Sequence, residues 1–236
     1  MPGLDASFPV VLLAAVLLGL RHAADPDHVA AMATLVARAP ARGGHAAGML
    51  GLAWGLGHAT TVVLVGVPLL VLGAHLPGWL QQTAEAAVGL VIVVLSVQLI
   101  RRSRAERLHL HEHDHPDGVR HTHLHAHCRG ASHAHLHAGR THRGAFGIGL
   151  LHGLAGSGAV AVLLLAAIES TPLALAALML FGAASAVAMA VASTGFGLTL
   201  MRARGRRTWA RAEPLLGCMT LAFGLLYAAG TARLLG

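Results

Sequence analysis

The sequence predicts an all-α, polytopic membrane protein of about six transmembrane helices, the first of them broken near Pro26. Three observations carry this. The chain of 236 residues is 55% apolar and only 11% charged, with a mean hydropathy of +0.65, whereas soluble domains are about 25% charged. Six stretches reach the roughly 20 apolar residues needed to cross a hydrocarbon core of about 30 Å. They are 8–37 (interrupted), 46–74, 81–100, 144–168, 172–201 and 212–235. The charge, finally, lies mostly between these stretches rather than within them. Disorder and a coiled coil are excluded by this pattern, and it argues against a soluble enzyme.

The first stretch is too long for one straight span, and Arg21, His22, Asp25, Asp27 and His28 interrupt it. No basic region precedes it, which argues against a cleaved signal peptide. Orientation follows from arginine. All 17 basic residues are Arg, and 15 fall in the loops between stretches one and two, three and four, and five and six. The positive-inside rule puts those loops in the cytoplasm and both termini outside, in an inner-membrane protein. The net charge of +7 therefore reflects topology and lipid contact, and no nucleic-acid partner is expected. Cys128 and Cys218 are too few for a disulfide framework. Cys218 reads as a small buried hydrophobe, and Trp54, Trp79 and Trp209 as packing or interface residues. Gly51 with Gly55, and Gly149 with Gly153, have the spacing that lets helices approach closely in lipid. General Gly and Ala richness explains them equally well.

Three organisational units result: 1–100 with three spans, a loop 101–143, and 144–236 with three more.

Ionisable groups inside a span are costly and mark pathways or sites. Here they gather in three places. His22, Asp25, Asp27 and His28 lie in the first span, His58 in the second and His152 in the fourth, all near mid-depth. On a straight helix His22, Asp25 and His28 form one drifting stripe, with Asp27 pointing elsewhere. Pro26 upsets that geometry, since it lacks an N–H and disfavours helical backbone at Asp25. A helix broken at mid-membrane is tolerated where freed backbone groups line a cavity or bind substrate. Imidazole and carboxylate suit Ni, Co, Zn or Mn rather than Cu(I). A proton relay would use the same residue types.

The loop 101–143 favours metal. It holds 12 of the 18 histidines, mostly in His-x-His alternation: His109, His111, His113, His115, His121, His123, His125, His127, His133, His135, His137 and His142. Such tracts read as metal-binding. The expectation is a segment disordered without metal, acting as buffer, sensor or gate rather than as the transport site.

The segment His22 to Asp27-His28 fits the HxxxxDH signature of the nickel/cobalt transporter (NiCoT) family of secondary permeases. Leu56-Gly57-His58-Ala59-Thr60-Thr61-Val62-Val63 resembles that family's second signature. His152-Gly153-Leu154-Ala155-Gly156-Ser157-Gly158 is similar to a segment of its shorter, urease-associated relatives, and Phe181-Gly182 through Met189 to a late segment of the same group. The resemblance touches the first, second, fourth and fifth spans. Larger members have about eight spans against six here, and the late segment has Ala where Gly and Thr are expected.

The resemblance implies a permease for Ni²⁺ or Co²⁺, with the ion as substrate and no prosthetic group. His22, Asp27 and His28 would form the core site, and Asp25, His58 and His152 would complete or gate it. Partners would be the lipid bilayer, the metal ion, and a cytoplasmic nickel chaperone or a urease or hydrogenase maturation system. The His-rich loop is similar to that of related nickel/cobalt efflux proteins. Their motif has Pro-Gly before the histidine where this chain has Asp27, which favours uptake. Efflux, zinc transport and a non-transporting metal sensor are the alternatives. A metallohydrolase would need an arrangement such as H-E-x-x-H in the membrane, and none of the six apolar stretches contains one.

Overall fold

A computed structural model describes residues 7–38, 43–74, 77–105, 109–114, 120–125, 141–155, 168–204 and 209–232. The helices in chain order are α1 (Ser7–His22), α2 (Pro26–Arg38), α3 (Gly44–Leu72), α4 (Gly78–Ala105), α5 (His142–His152), α6 (Thr171–Arg204) and α7 (Trp209–Ala232). Between α4 and α5 lie two strands, β1 (His109–Asp114) and β2 (Arg120–His125). The protein is a multi-pass helical membrane protein. Four helices, α3, α4, α6 and α7, are each long and apolar enough to cross a bilayer, and the α1–α2 pair makes a fifth span if taken together. The second half of the expected fourth span, including Ser157 and Gly158, lies outside the described residues.

The first span breaks where the sequence says it must. α1 ends at His22, and α2 restarts at Pro26 with its axis bent by 54°. Proline fits the first helical position because its missing N–H would have no partner there. The Asp25 carbonyl already accepts the first bond of the new helix, from Val29 N–H at 3.0 Å.

Small residues set the packing. Against α6, Gly44 abuts Leu198, Gly48 abuts Thr194, Gly51 abuts Ser193, and Gly55 meets the backbone of Ala186. Without a hydrophobic force between helices in lipid, such close approach supplies the van der Waals attraction. The α4–α7 pair uses Gly89 on Ala228 and Gly224 on Ile92 and Val93, with Ser96 Oγ donating to Thr220 Oγ1 at 2.8 Å in its buried middle. Large apolar side chains such as Leu64, Leu72, Val191 and Leu226 cover the outer surface. Trp54 is in the core, whereas Trp79 is exposed at the start of α4. Cys218, expected to be buried, is exposed; on an outward-facing position in lipid its thiol meets no polar penalty, so composition alone does not reveal the face.

The two halves of the chain repeat one another. Gly19-Leu20-Arg21-His22 ends α1, and Gly149-Leu150-Leu151-His152 ends α5. Each histidine is followed by the same turn. Ala23, Ala24 and Asp25 donate to the carbonyls of Gly19, Arg21 and His22, and Gly153, Leu154 and Ala155 donate to those of Gly149, Leu151 and His152. A second pair of segments matches as well: Trp54-Gly55-Leu56-Gly57-His58-Ala59 in α3 and Phe181-Gly182-Ala183-Ala184-Ser185-Ala186 in α6. Gly19 lies against the Phe181 carbonyl, and Gly149 against the Trp54 carbonyl. α1 packs on α6, α5 on α3, α3 on α6 and α4 on α7. Exchanging the halves maps this set of pairs onto itself. With α1–α2 as one broken span, the first half has three spans, so the second enters the membrane from the opposite side.

The loop was expected to be disordered. Its β1 and β2 pair antiparallel, with His109 opposite His125, His111 opposite His123, and His113 opposite His121. Regular alternation gives a strand its period of two, and six-residue strands can form wherever that period holds. His115, His127, His133, His135 and His137 lie outside the described residues.

Candidate metal centre

The ends of α1 and α5 deliver their terminal histidines to one place in the core. His22 closes α1, Asp27 and His28 open α2, His58 sits mid-way along α3, and His152 closes α5. All five are buried. Asp25, in the turn, is 30% exposed. The carbonyl ends of α1 and α5 both lie at this cluster, and the partial negative charge of helix C-termini favours a cation there.

Hydrogen bonds order the rings. His22 Nδ1 donates to Asp25 Oδ2 at 3.0 Å, and His28 Nδ1 donates to Asp27 Oδ1 at 3.1 Å. The second oxygen of Asp27 accepts from His152 Nε2 at 3.2 Å. A neutral imidazole carries one proton. His22 and His28 therefore hold their lone pairs on Nε2. His22 Nε2 faces His58 Nε2 at 3.0 Å, which makes His58 the donor. The remaining buried nitrogens, His28 Nε2, His58 Nδ1 and His152 Nδ1, have no hydrogen-bond partner. Unmatched buried acceptors are costly, and three of them among five neighbouring buried side chains fit a place that takes a ligand.

Carboxylates that hold the far nitrogen of an imidazole fix its tautomer and raise its basicity toward a metal. Asp25 and Asp27 stand in that relation to His22 and His28. Among the described residues, two groups are spaced to hold an ion: His22, His28 and His58, and Asp27, His28 and His152. Within each, one ligand atom per residue lies within 4.8 Å of the others.

Aromatic rings wall the cluster. Phe181 lies 5.2 Å from the His22 ring. Trp54 lies 5.6 Å from both His28 and His152. His58 is held in depth by the glycines that flank its contacts, Gly57 against the Phe146 carbonyl and Gly153 against the His58 carbonyl. Thr61 Oγ1 donates to the Leu150 carbonyl at 2.8 Å, tying α3 to α5 one turn further on.

All six membrane residues named from the sequence are thus in or beside one cluster. One geometric expectation fails. Asp27 does not point away from the stripe: it joins His28 to His152. The straight-helix projection that separated them does not survive the turn at residues 23–25. Two wall residues, Trp54 as a ring neighbour and Phe181, were missed. The repeated Gly-Leu-x-His and aromatic-Gly-x-x-polar-Ala patterns were the signal that would have paired them.

The fold and this cluster define a multi-pass helical membrane protein with a buried histidine–carboxylate centre. The chain is similar to the urease accessory protein UreH of Bacillus sp. (strain TB-90), with 26% identity over 224 residues that take in 92% of this chain and 90% of that protein. The relative is an accessory protein, in keeping with a non-enzymatic role for this one. No family model matches the chain, and no solved structure matches it.

Proposed function

We propose that this protein is a secondary permease of the nickel/cobalt transporter type that carries Ni²⁺ or Co²⁺ across the inner membrane into the cytoplasm. The observation that supports it most is the meeting of four buried histidines and two carboxylates, from α1, α2, α3 and α5, at the helix break near Pro26. The similarity to a urease accessory protein along nearly the whole chain fits a role in supplying metal for enzyme maturation. His22, His28 and His58 supply imidazole nitrogens, Asp27 and His152 supply a carboxylate and a fourth imidazole, and Asp25 orients His22. The two carboxylates partly neutralise the divalent charge.

Membrane potential is a sufficient drive. At about 2.3 kcal/mol per charge per 100 mV, a divalent ion gains about 4.6 kcal/mol, worth a concentration ratio of order 10³. In this reading the His-rich loop lies in the cytoplasm and lowers free metal at the exit. Asp27 beside His28 favours uptake over efflux.

Accumulation of radiolabelled Ni²⁺ and Co²⁺ in metal-starved cells tests the proposal. Accumulation above the empty vector, lost in His22→Ala, supports an importer. Reduced accumulation with greater metal tolerance means an exporter, and no change with either metal removes the nickel/cobalt reading.

A further inference from the structure

We propose that the ion occupies two alternative positions in the centre, one on His22, His28 and His58 and one on Asp27, His28 and His152, with His28 as the ligand common to both. This rests on the permease reading above and says how the ion moves through that site.

The five side chains do not form one group. The two triads each bring their ligand atoms within 4.8 Å, and they overlap only at His28. Each triad is already close to the spacing that a bound ion needs. Metal–nitrogen bonds of about 2.0 to 2.1 Å set tetrahedral ligand atoms about 3.3 Å apart. The observed pairs are 3.0 Å for His22 Nε2 and His58 Nε2, 3.1 Å for His28 and Asp27, and 3.2 Å for His152 and Asp27. An ion enters either place with small ligand movement once the shared protons move to the far nitrogens of their rings, His58 Nδ1 in the first and His28 Nε2 and His152 Nδ1 in the second, all buried without a hydrogen-bond partner. The rings of His22 and His152 both lie 4.5 Å from that of His28. His28 is a ligand in both positions, in the second through the Nδ1 that faces Asp27 at 3.1 Å, and the step between them exchanges its two partners.

The repeat assigns the positions to opposite sides. His22 and His152 end equivalent helices, at identical turns, in halves that enter the membrane from opposite faces. Inverted repeats of this kind allow one half to open while the other closes around a fixed site. The first position belongs to the end of α1, the second to the end of α5. The two triads differ in chemistry as well: three neutral imidazoles in one, and a carboxylate with two imidazoles in the other. A pathway needs sites that bind strongly enough to admit an ion and release it by exchange.

The test uses the purified full-length protein in nanodiscs with Co²⁺ as probe, read by X-ray absorption and visible spectra. His152→Ala should still bind one ion per chain with nitrogen ligands only. His58→Ala should still bind one, with mixed oxygen and nitrogen ligands. The His58→Ala/His152→Ala double variant and His28→Ala should lose binding at least ~10-fold relative to wild type, and each single variant should lose transport by at least ~10-fold. His58→Gln and His152→Gln, checked for helicity and monodispersity, stand in if an alanine variant does not fold. Loss of binding in either folded single variant, or the same ligand set in both, would overturn the two-position proposal while leaving the permease reading intact. Wild-type protein that binds no Co²⁺ would overturn both.

Discussion

The Nε2 atoms of His22 and His58 face one another at 3.0 Å, although 36 residues separate them in the chain. A break in one helix and glycine packing along another bring them together. His22 is delivered by the end of α1, and His58 by a stretch of α3 whose Gly57 and Gly55 let α5 and α6 approach. A divalent ion placed between these nitrogens replaces the single proton that now joins them. Removing either ring removes a ligand, and we expect His22→Ala and His58→Ala each to lower metal uptake by at least ~10-fold without changing expression.

In the proposed permease, Asp25 would act through His22 rather than as a ligand. It is the more exposed carboxylate, and its bond goes to Nδ1, the nitrogen away from His58. Asp25→Asn should weaken apparent affinity by about 10- to 100-fold, the range seen when an outer carboxylate partner of a metal-binding histidine is removed. Maximal rate should fall much less. Concentration-dependent uptake of Co²⁺ separates this from His22→Ala, in which maximal rate also collapses.

Gly149 is expected to tolerate nothing larger, because a Cβ there meets the Trp54 carbonyl and the backbone of His58. Gly149→Val should destabilise the fold by about 1 to 3 kcal/mol or more, the cost of overpacking. Gly147, with open space around it, is the control: Gly147→Ala should be neutral or slightly stabilising through helix propensity. Detergent unfolding of the two variants beside wild type measures both.

The hydrogen bond between Ser96 and Thr220 is the buried link between α4 and α7. A double-mutant cycle with Ser96→Ala and Thr220→Ala should give a coupling of about 0.6 kcal/mol, the typical value for such bonds within membranes. A coupling near zero would mean that this bond does not help hold α4 to α7.

Much of the fold was legible because its physics is local. Apolar length marked the spans, and Pro26 marked the break between α1 and α2. The six intramembrane residues were legible for the same reason, since charge in lipid is conspicuous wherever it falls. What the sequence did not yield was their mutual geometry. Asp27 reaches His152 only because residues 23–25 form a turn that no straight-helix projection contains. The wall residues Phe181 and Trp54 look like ordinary core aromatics until the repeat pairs them. The outward face of Cys218 follows from how α7 turns against α4, which composition does not encode. The histidine alternation in the loop was plain, yet its pairing as a hairpin depends on a register set by both strands together.

Deletion of residues 109–142 should leave the intramembrane centre whole, because none of its ligands comes from that segment. We expect uptake of Co²⁺ to persist, with fewer ions bound per purified chain by equilibrium dialysis. Loss of uptake with intact binding at the centre would make the loop part of the pathway instead of an accessory.

The most direct test is flux into proteoliposomes containing the purified protein and a trapped metal-sensitive dye, with an imposed inside-negative potential. Wild-type protein should admit Ni²⁺ or Co²⁺ at a rate that rises with the potential, and His28→Ala, which removes the ligand common to both triads, should be indistinguishable from empty vesicles. Equal flux through wild type and His28→Ala, or no flux of either ion through wild type, would contradict the account.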